Sequence, residues 1–268
     1  MVWYVDPSAL RNQIFSVDPK YFAFAVVASV FANLISAARW CVIARGLGLA
    51  APFGRMVLMY FRGVTMNILL PGATVSGDLL RSYQLSNERN PLLRAGLSVL
   101  LDRLSGLWML CALSLLALLM AADRINRDSF LIYCGILVFA VVSPWIPFPV
   151  KKIEDSRKSA LQSGGPLLRS AWLSAAVQIA SSFALWLCGL AAGVDLSYPL
   201  MLAAAAPIFI MAAVPLGWAG FGARELSAVV VLGLLGVPAD QATAAALLYG
   251  LAAVVQGAFS APLFFIKD

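Results

Sequence analysis

The chain has 268 residues, 62% of them hydrophobic and only 12% charged, with a formal net charge of +6 and no histidine. A soluble domain carries about twice that charged share, so too little polar sequence remains to clothe a water-facing surface. The missing histidine excludes Ser-His-Asp and Cys-His nucleophilic sites and the common histidine metal sites, and the scattered basic residues form no stripe for nucleic acid.

Residues 1–20 contain Asp6, Arg11, Asp18 and Lys20 and no apolar core, so they read as an interfacial linker rather than a cleavable leader. Trp3 and Tyr4 are the expected interface anchors. The first strong helix is predicted from Tyr21 to Ile43, uncharged as far as Ala38 and then carrying Arg39 and Trp40. A second hydrophobic segment runs from Phe53 to Leu70 and stops at Pro71-Gly72, because proline removes a backbone donor and clashes with the preceding turn. A short helix is predicted from Ser76, as its N-cap, to Gln84.

A long helix follows from Ala95 to Ala122, with Asp102 and Arg103 in its first third. Residues 123–128 form a charged loop, and a further helix spans Phe130 to Trp145. Lys151 to Gly165 is the longest polar segment. The second half then presents a helix from Leu168 to Ala192, a segment from Pro199 to Val214 interrupted at Pro215, a short helix to Leu235, and a last helix from Ala239 to Phe265. Ser170 to Val194, Leu196 to Ala223 and Gln241 to Ile266 contain no charge, and each exceeds the ~20 apolar residues that cross a bilayer.

Two segments share one grammar: helix, proline break, glycine-rich polar stretch, charges, second helix. The first has Asn67, Pro71, Gly72, Gly77, Asp78 and Arg81; the second has Pro215, Gly217, Gly220, Gly222, Arg224 and Glu225. Corresponding broken segments in two halves point to a transporter built from repeats. The expected architecture is an all-α polytopic membrane protein, a single transmembrane domain with an inverted repeat. Its halves lie at about 21–122 and 168–265, joined by helix 130–145 and a cytoplasmic loop at 151–165. Two re-entrant helical hairpins, at about 53–84 and 199–235, accompany about five full crossings.

That arrangement places Arg45, Arg55, Arg89, Arg94, Lys151, Lys152, Arg157, Lys158, Arg169 and Lys267 on one side, and Arg11, Lys20, Arg124 and Arg127 on the other. The richer side is cytoplasmic by the positive-inside rule, so the amino terminus is expected outside and the carboxyl terminus inside the inner membrane. Kinked helices that span fully are the alternative, and they scramble this bias.

Charges within hydrophobic segments each cost ~2.5–3.5 kcal/mol at the bilayer centre, so they must pair, snorkel or line water. Asp78 and Arg81 share one helix face, and Arg81 is placed to reach Asp102. Arg224 and Glu225 are adjacent and expected to diverge, each needing a partner elsewhere. Arg39 and Arg62 read as packing pairs or snorkelling cations. For Asp78, Arg81, Asp102, Arg103, Arg224 and Glu225, structural ion pairing and headgroup binding stand level. Both short helices begin near these charges, and free helical N–H groups beside arginine suit a phosphate. Asn33, Asn67, Gln178 and Gln256 are expected to hydrogen-bond between helices. Cys41, Cys111, Cys134 and Cys188 lie in separate runs and read as small buried hydrophobes. The run from Gly217 to Gly222 lacks the spacing of a nucleotide loop.

The run Asn67 to Gly72, then Gly77-Asp78, Arg81, Asp102-Arg103 and Gly106, resembles the lysylphosphatidylglycerol synthase transmembrane-domain family. The run Pro215 to Glu225 resembles that family's second signature, and Arg39-Trp40 its early Arg-Trp pair. The resemblance covers nearly the whole chain and implies a stand-alone lipid flippase module without the aminoacyl-transfer domain. Members of the family usually begin with one more hydrophobic helix, and this chain is expected to start just after it. The expected activity is flipping of a polar, anionic or aminoacylated, lipid between leaflets through a polar cavity between the hairpins. The expected roles are phosphate attraction by Arg81, Arg103 and Arg224, and charge balance by Asp78, Asp102 and Glu225. No enzymatic chemistry, metal or cofactor is expected; the partners are membrane lipids, with a lipid-synthesis enzyme or a second copy as further classes. An accessory subunit for a lipid-linked glycosyltransferase or lipid-modifying enzyme is the alternative.

Overall fold

The computed structural model describes residues 17–50, 52–70, 74–87, 89–122, 126–143, 164–214 and 221–266. Among these residues the regular elements are all helical. They are α1 (Pro19–Gly46), α2 (Phe53–Leu69), α3 (Val75–Leu85), α4 (Leu92–Met120), α5 (Arg127–Val142), α6 (Gly164–Ala191), α7 (Tyr198–Ala213), α8 (Ala223–Gly233) and α9 (Ala239–Ser260). A short 3-10 turn, Ala261–Phe265, closes the described chain. Pro71, Gly72, Pro215, Gly217 and Gly220, and the loop over 151–163, lie outside the described residues. Gly164 and Gly165, expected in that loop, open α6 instead.

Local chemistry sets the ends. The Asp18 carboxylate accepts the Lys20 N–H at 2.8 Å, and Pro19 fills the first turn of α1, where a missing N–H costs nothing. α4 starts at Leu92, three residues before the expected Ala95, because Pro91 in extended conformation forms the boundary. The expected N-cap Ser76 is corrected. Thr74 holds that position, and the Ser76 hydroxyl donates to the Met66 carbonyl at 3.2 Å.

Among the described residues, four helices are long and apolar enough to cross a membrane: Pro19–Gly46, Leu92–Met120, Ser170–Ala191 and Ala239–Phe265. The fifth expected crossing, α5, has 16 residues up to Val142, where the described segment soon ends. Phe24, Val27, Phe31, Ile132, Phe139, Trp172 and Phe259 are broadly exposed, as side chains facing hydrocarbon are. This is a membrane protein.

The packing has an internal order. α1 packs on α2 as α6 does on α7; α2 on α3 as α7 on α8; α3 on α4 as α8 on α9; α1 on α4 as α6 on α9. Across the halves, α4 meets α7 as α9 meets α2, α4 meets α6 as α9 meets α1, and α1 lies along α6. Exchanging α1–α4 for α6–α9 therefore leaves these partnerships unchanged, with α5 standing apart on α4. The crossed contacts share a chemistry as well: the Thr65 hydroxyl of α2 donates to the Gly257 carbonyl of α9, and Ser114 of α4 to the Leu202 carbonyl of α7.

Small residues permit the close approach. Ala203 to Ala206 on α7 and Ala242, Ala244, Ala245 and Ala246 on α9 are all buried. The expected amide contacts form: Asn33 donates to Gln256 at 2.6 Å, and Gln178 to the Gly106 carbonyl at 2.9 Å. Cys41, Cys111 and Cys188 are buried and Cys134 is half-buried, and none of the four is in a disulfide.

Asn90 ties the first hairpin's connections together. Its side-chain oxygen accepts the Ala50 N–H, and its amide donates to the Ala50 and Leu85 carbonyls. With three hydrogen bonds at about 1 kcal/mol each, Asn90→Ala is expected to lower the unfolding free energy by about 2–3 kcal/mol, read by thermal unfolding in detergent. An unchanged melting temperature would remove this residue's structural role.

Candidate functional site

Along α2 and α3 the contacts run in opposite order: Asn67 meets Gly77, Gly63 meets Arg81, and Arg81 lies over the Tyr60 ring. The chain therefore doubles back, and α3 lies along α2. Contact this close depends on glycine. A Cβ at Gly77 would overlap the Gly63 carbonyl and the Asn67 amide.

The doubled-back helix carries Asp78 and Arg81 towards α4. Arg81 Nη2 donates to Asp78 Oδ1 at 2.8 Å, and Arg81 Nη1 to Asp102 Oδ2 at 3.4 Å, as their spacing predicted. Arg103 holds Asp78 with a bidentate fork, Nη2 to Oδ1 at 2.8 Å and Nε to Oδ2 at 2.9 Å. Arg39 of α1 completes the set, its Nε donating to Asp102 Oδ1 at 2.7 Å. The result is a continuous alternation, Arg39–Asp102–Arg81–Asp78–Arg103, shared by α1, α3 and α4.

Its surroundings are graded. Arg81 is buried between the Trp40 and Tyr60 rings, with its guanidinium carbon 4.8 and 4.7 Å from their centroids. The Trp40 indole N–H is held by Ser98 at 3.0 Å. Arg39 is buried, with Nη1 donating to Ser174 of α6 at 3.3 Å. Arg103 is the open end: 39% of its side chain is accessible, against 2% for Arg81 and 5% for Arg39. Three guanidiniums face two carboxylates, so one positive charge is surplus. A cavity of about 20 Å³ lies beside Arg81 and Arg103 and is bounded by Tyr60, Gly63, Val64, Asn67 and Gly77. It is large enough for one water-sized atom and too small for a whole phosphate group.

The second hairpin is built differently. Arg224 and Glu225 do not diverge as expected. Arg224 Nη2 donates to Glu225 Oε1 at 2.7 Å and Nε to the same oxygen at 3.1 Å. The cause is their place at the start of α8. Gly222, at φ +95°, turns the chain into the helix, and Glu225 folds back so that Oε2 accepts the Gly222 N–H. With no preceding helical turn in the way, the long arginine side chain curls onto the same carboxylate. Arg224 also lies over the Phe221 ring at 4.8 Å, and a Cβ at Gly250 would overlap its guanidinium. Both charges are buried, and the pair is neutral.

The helix N-termini are likewise less open than expected. The Gly77 N–H is taken by Asn67 Oδ1 at 2.7 Å, and the Gly222 N–H by Glu225. The accessible guanidinium of the cluster is that of Arg103. Among the described residues, no three of Cys, Asp and Glu converge as a metal-ligand set.

Of the expected site residues, Asp78, Arg81, Asp102 and Arg103 form one cluster, while Arg224 and Glu225 form a separate pair. Sequence reasoning assigned Arg39 to packing and passed over Tyr60, Gly63 and Gly250. The signal for Arg39 was its place in an otherwise uncharged helix.

Comparison with known proteins agrees with this architecture. The sequence pattern of the lysylphosphatidylglycerol synthase TM region matches residues 1–259. A UPF0104 membrane protein of Methanocaldococcus jannaschii is 26% identical over 83 residues, which make up 31% of this chain and 25% of that protein. The match thus spans about a quarter of that relative's length.

Proposed function

The chain belongs to the lysylphosphatidylglycerol synthase transmembrane-region family, and on that premise we propose that it moves a phosphate-bearing polar lipid between membrane leaflets. The observation that carries this reading is the surplus positive charge of the five-residue cluster, presented at its accessible end by Arg103. A phosphodiester headgroup would place one oxygen in the cavity beside Arg81 and Arg103, exchanging with Asp78 for the Arg103 fork, while its acyl chains stay in lipid.

The reading includes two re-entrant hairpins. α3 and α8 have 11 residues each, ~16 Å of helix, about half the hydrocarbon thickness. Each exposes an apolar stripe at i, i+4 and i+8: Val75, Leu79 and Tyr83 on α3, and Leu226 and Val230 on α8 with Leu234 at its C-cap. Such stripes suit helices immersed in lipid. The exchangeable packing of α1–α4 and α6–α9 supports two repeats inverted across the inner membrane, with the amino terminus outside and the carboxyl terminus cytoplasmic. Transport, without chemistry on the lipid, is the whole activity in this reading.

The test is lipid movement in proteoliposomes, using acyl-labelled phosphatidylglycerol and phosphatidylcholine with a membrane-impermeant quencher. The protein is expected to speed loss of protected signal, with phosphatidylglycerol favoured. Arg103→Gln is expected to lower the phosphatidylglycerol rate about tenfold without changing the melting temperature, because Arg103 is the half-open end of the cluster. No acceleration over empty vesicles for either lipid would sink the reading and put the accessory role first.

A further inference from the structure

We propose that Arg39, buried beneath the cluster and out of a headgroup's reach, is a positioning residue that sets the charge selectivity of the site. The inference rests on the phosphate reading of Arg103. Asp102 is gripped from both sides, with Oδ1 taken by Arg39 at 2.7 Å and Oδ2 by Arg81 at the longer distance of 3.4 Å. Because Arg39 satisfies Asp102 so closely, Arg81 is left to bond Asp78 at 2.8 Å. Asp78 is thereby shared between Arg81 and Arg103, and Arg103 is not its sole counter-ion.

Removing the Arg39 charge acts twice. The count falls to two guanidiniums against two carboxylates, and the cluster loses its surplus charge. Asp102 then has Arg81 as its one ion-paired cation among the described residues, draws it away from Asp78, and leaves Asp78 to close on Arg103 through a fork that already exists. Both effects withdraw Arg103 from an anionic headgroup. The place of Arg39 is itself fixed from two directions. Ser174 of α6 accepts from Nη1, and Gly106 of α4 gives the guanidinium its space, since a Cβ there would lie 2.8 Å from Nη1.

The test reads a ratio, the phosphatidylglycerol rate over the phosphatidylcholine rate in the same proteoliposomes. A merely structural role lowers both rates together and leaves the ratio alone. Arg39→Gln is expected to lower it roughly tenfold, the effect of one unit charge about 10 Å away at an intermediate dielectric. Arg39→Lys keeps the charge and is expected to keep the ratio. Arg39→Gln combined with Asp102→Asn restores one surplus charge, and is expected to recover the wild-type preference that the single variant loses. A wild-type ratio in folded Arg39→Gln overturns the proposal. So does a double variant that fails to show the wild-type ratio, which decides the matter even if the single variant cannot be purified. Should Arg103→Gln also leave the ratio unchanged, the headgroup reading fails; should Arg103→Gln abolish the preference while Arg39→Gln does not, only the positioning role fails.

Discussion

Glu225→Gln is expected to lower the unfolding free energy by about 3–5 kcal/mol, the cost of leaving one partner of a buried ion pair uncompensated. Arg224 has 4% of its side chain accessible, and its Nε and Nη2 both donate to Glu225 Oε1. The amide oxygen of the substituted side chain would still accept from the Gly222 N–H, so the loss is one of charge rather than of the helix cap. Replacing both residues, Arg224→Met with Glu225→Gln, is expected to recover most of the stability, because the charge and its counter-charge leave together. Thermal unfolding in detergent separates these outcomes. The same variants divide the two hairpins by role. If Arg224 met a headgroup, freeing it from Glu225 would raise the preference for phosphatidylglycerol; as a structural lock it lowers stability and leaves that preference in place. A Glu225→Gln protein as stable as wild type would mean that this pair is not a closed, buried contact.

The two hairpins thus look alike in sequence and differ in geometry, a part-open cluster in one and a closed pair in the other, and the reason lies in side-chain reach. Rows of uncharged residues made the long helices legible, because a run such as Gln241 to Ile266 has little alternative to a membrane-buried helix. Asp78 and Arg81 were legible as a pair because three residues apart means one helix face. Their junction with Asp102 followed once Asp102 was placed on the next helix. Arg39 was not legible as a cluster member. Nothing in α1 says which of several neighbouring helices its side chain will face, and α1 packs on α2, α4, α6 and α9. The divergence expected of Arg224 and Glu225 failed for another cause. Adjacent residues point about 100° apart in the middle of a helix, but at its first turn there is no preceding helical turn to pack along, and both long side chains can fold over the end. The glycines at 63 and 250 carried the least sequence signal, since each owes its identity to a neighbour distant along the chain.

Gly77→Ala is expected to destabilise the protein by about 3 kcal/mol and to abolish lipid movement. Helix propensity predicts the opposite sign, because alanine in a helix interior gains about 0.5–1 kcal/mol over glycine. Gly54 on α2, Gly135 on α5 and Gly233 on α8 supply the reference, since a Cβ at any of them meets nothing within 4 Å. Their alanine variants are expected to be neutral or up to ~1 kcal/mol more stable. At Gly77 the added methyl meets the Gly63 carbonyl, which is backbone and cannot rotate away, and the Asn67 side-chain amide, which can move only by giving up its bond to the Gly77 N–H. Relief requires α3 to lift from α2, which breaks the Gly77 N–H bond to Asn67 and the Ser76 bond to the Met66 carbonyl. Lifting α3 also carries Asp78 and Arg81 away from Arg103 and Asp102, so the cluster opens at both of its contacts between α3 and α4. Unfolding midpoints of the four alanine variants, measured side by side in one detergent, decide the matter. Gly77→Ala falling with the other three would mean that the hairpin is not packed through glycine, and the geometry that holds the arginine cluster together would lose its support.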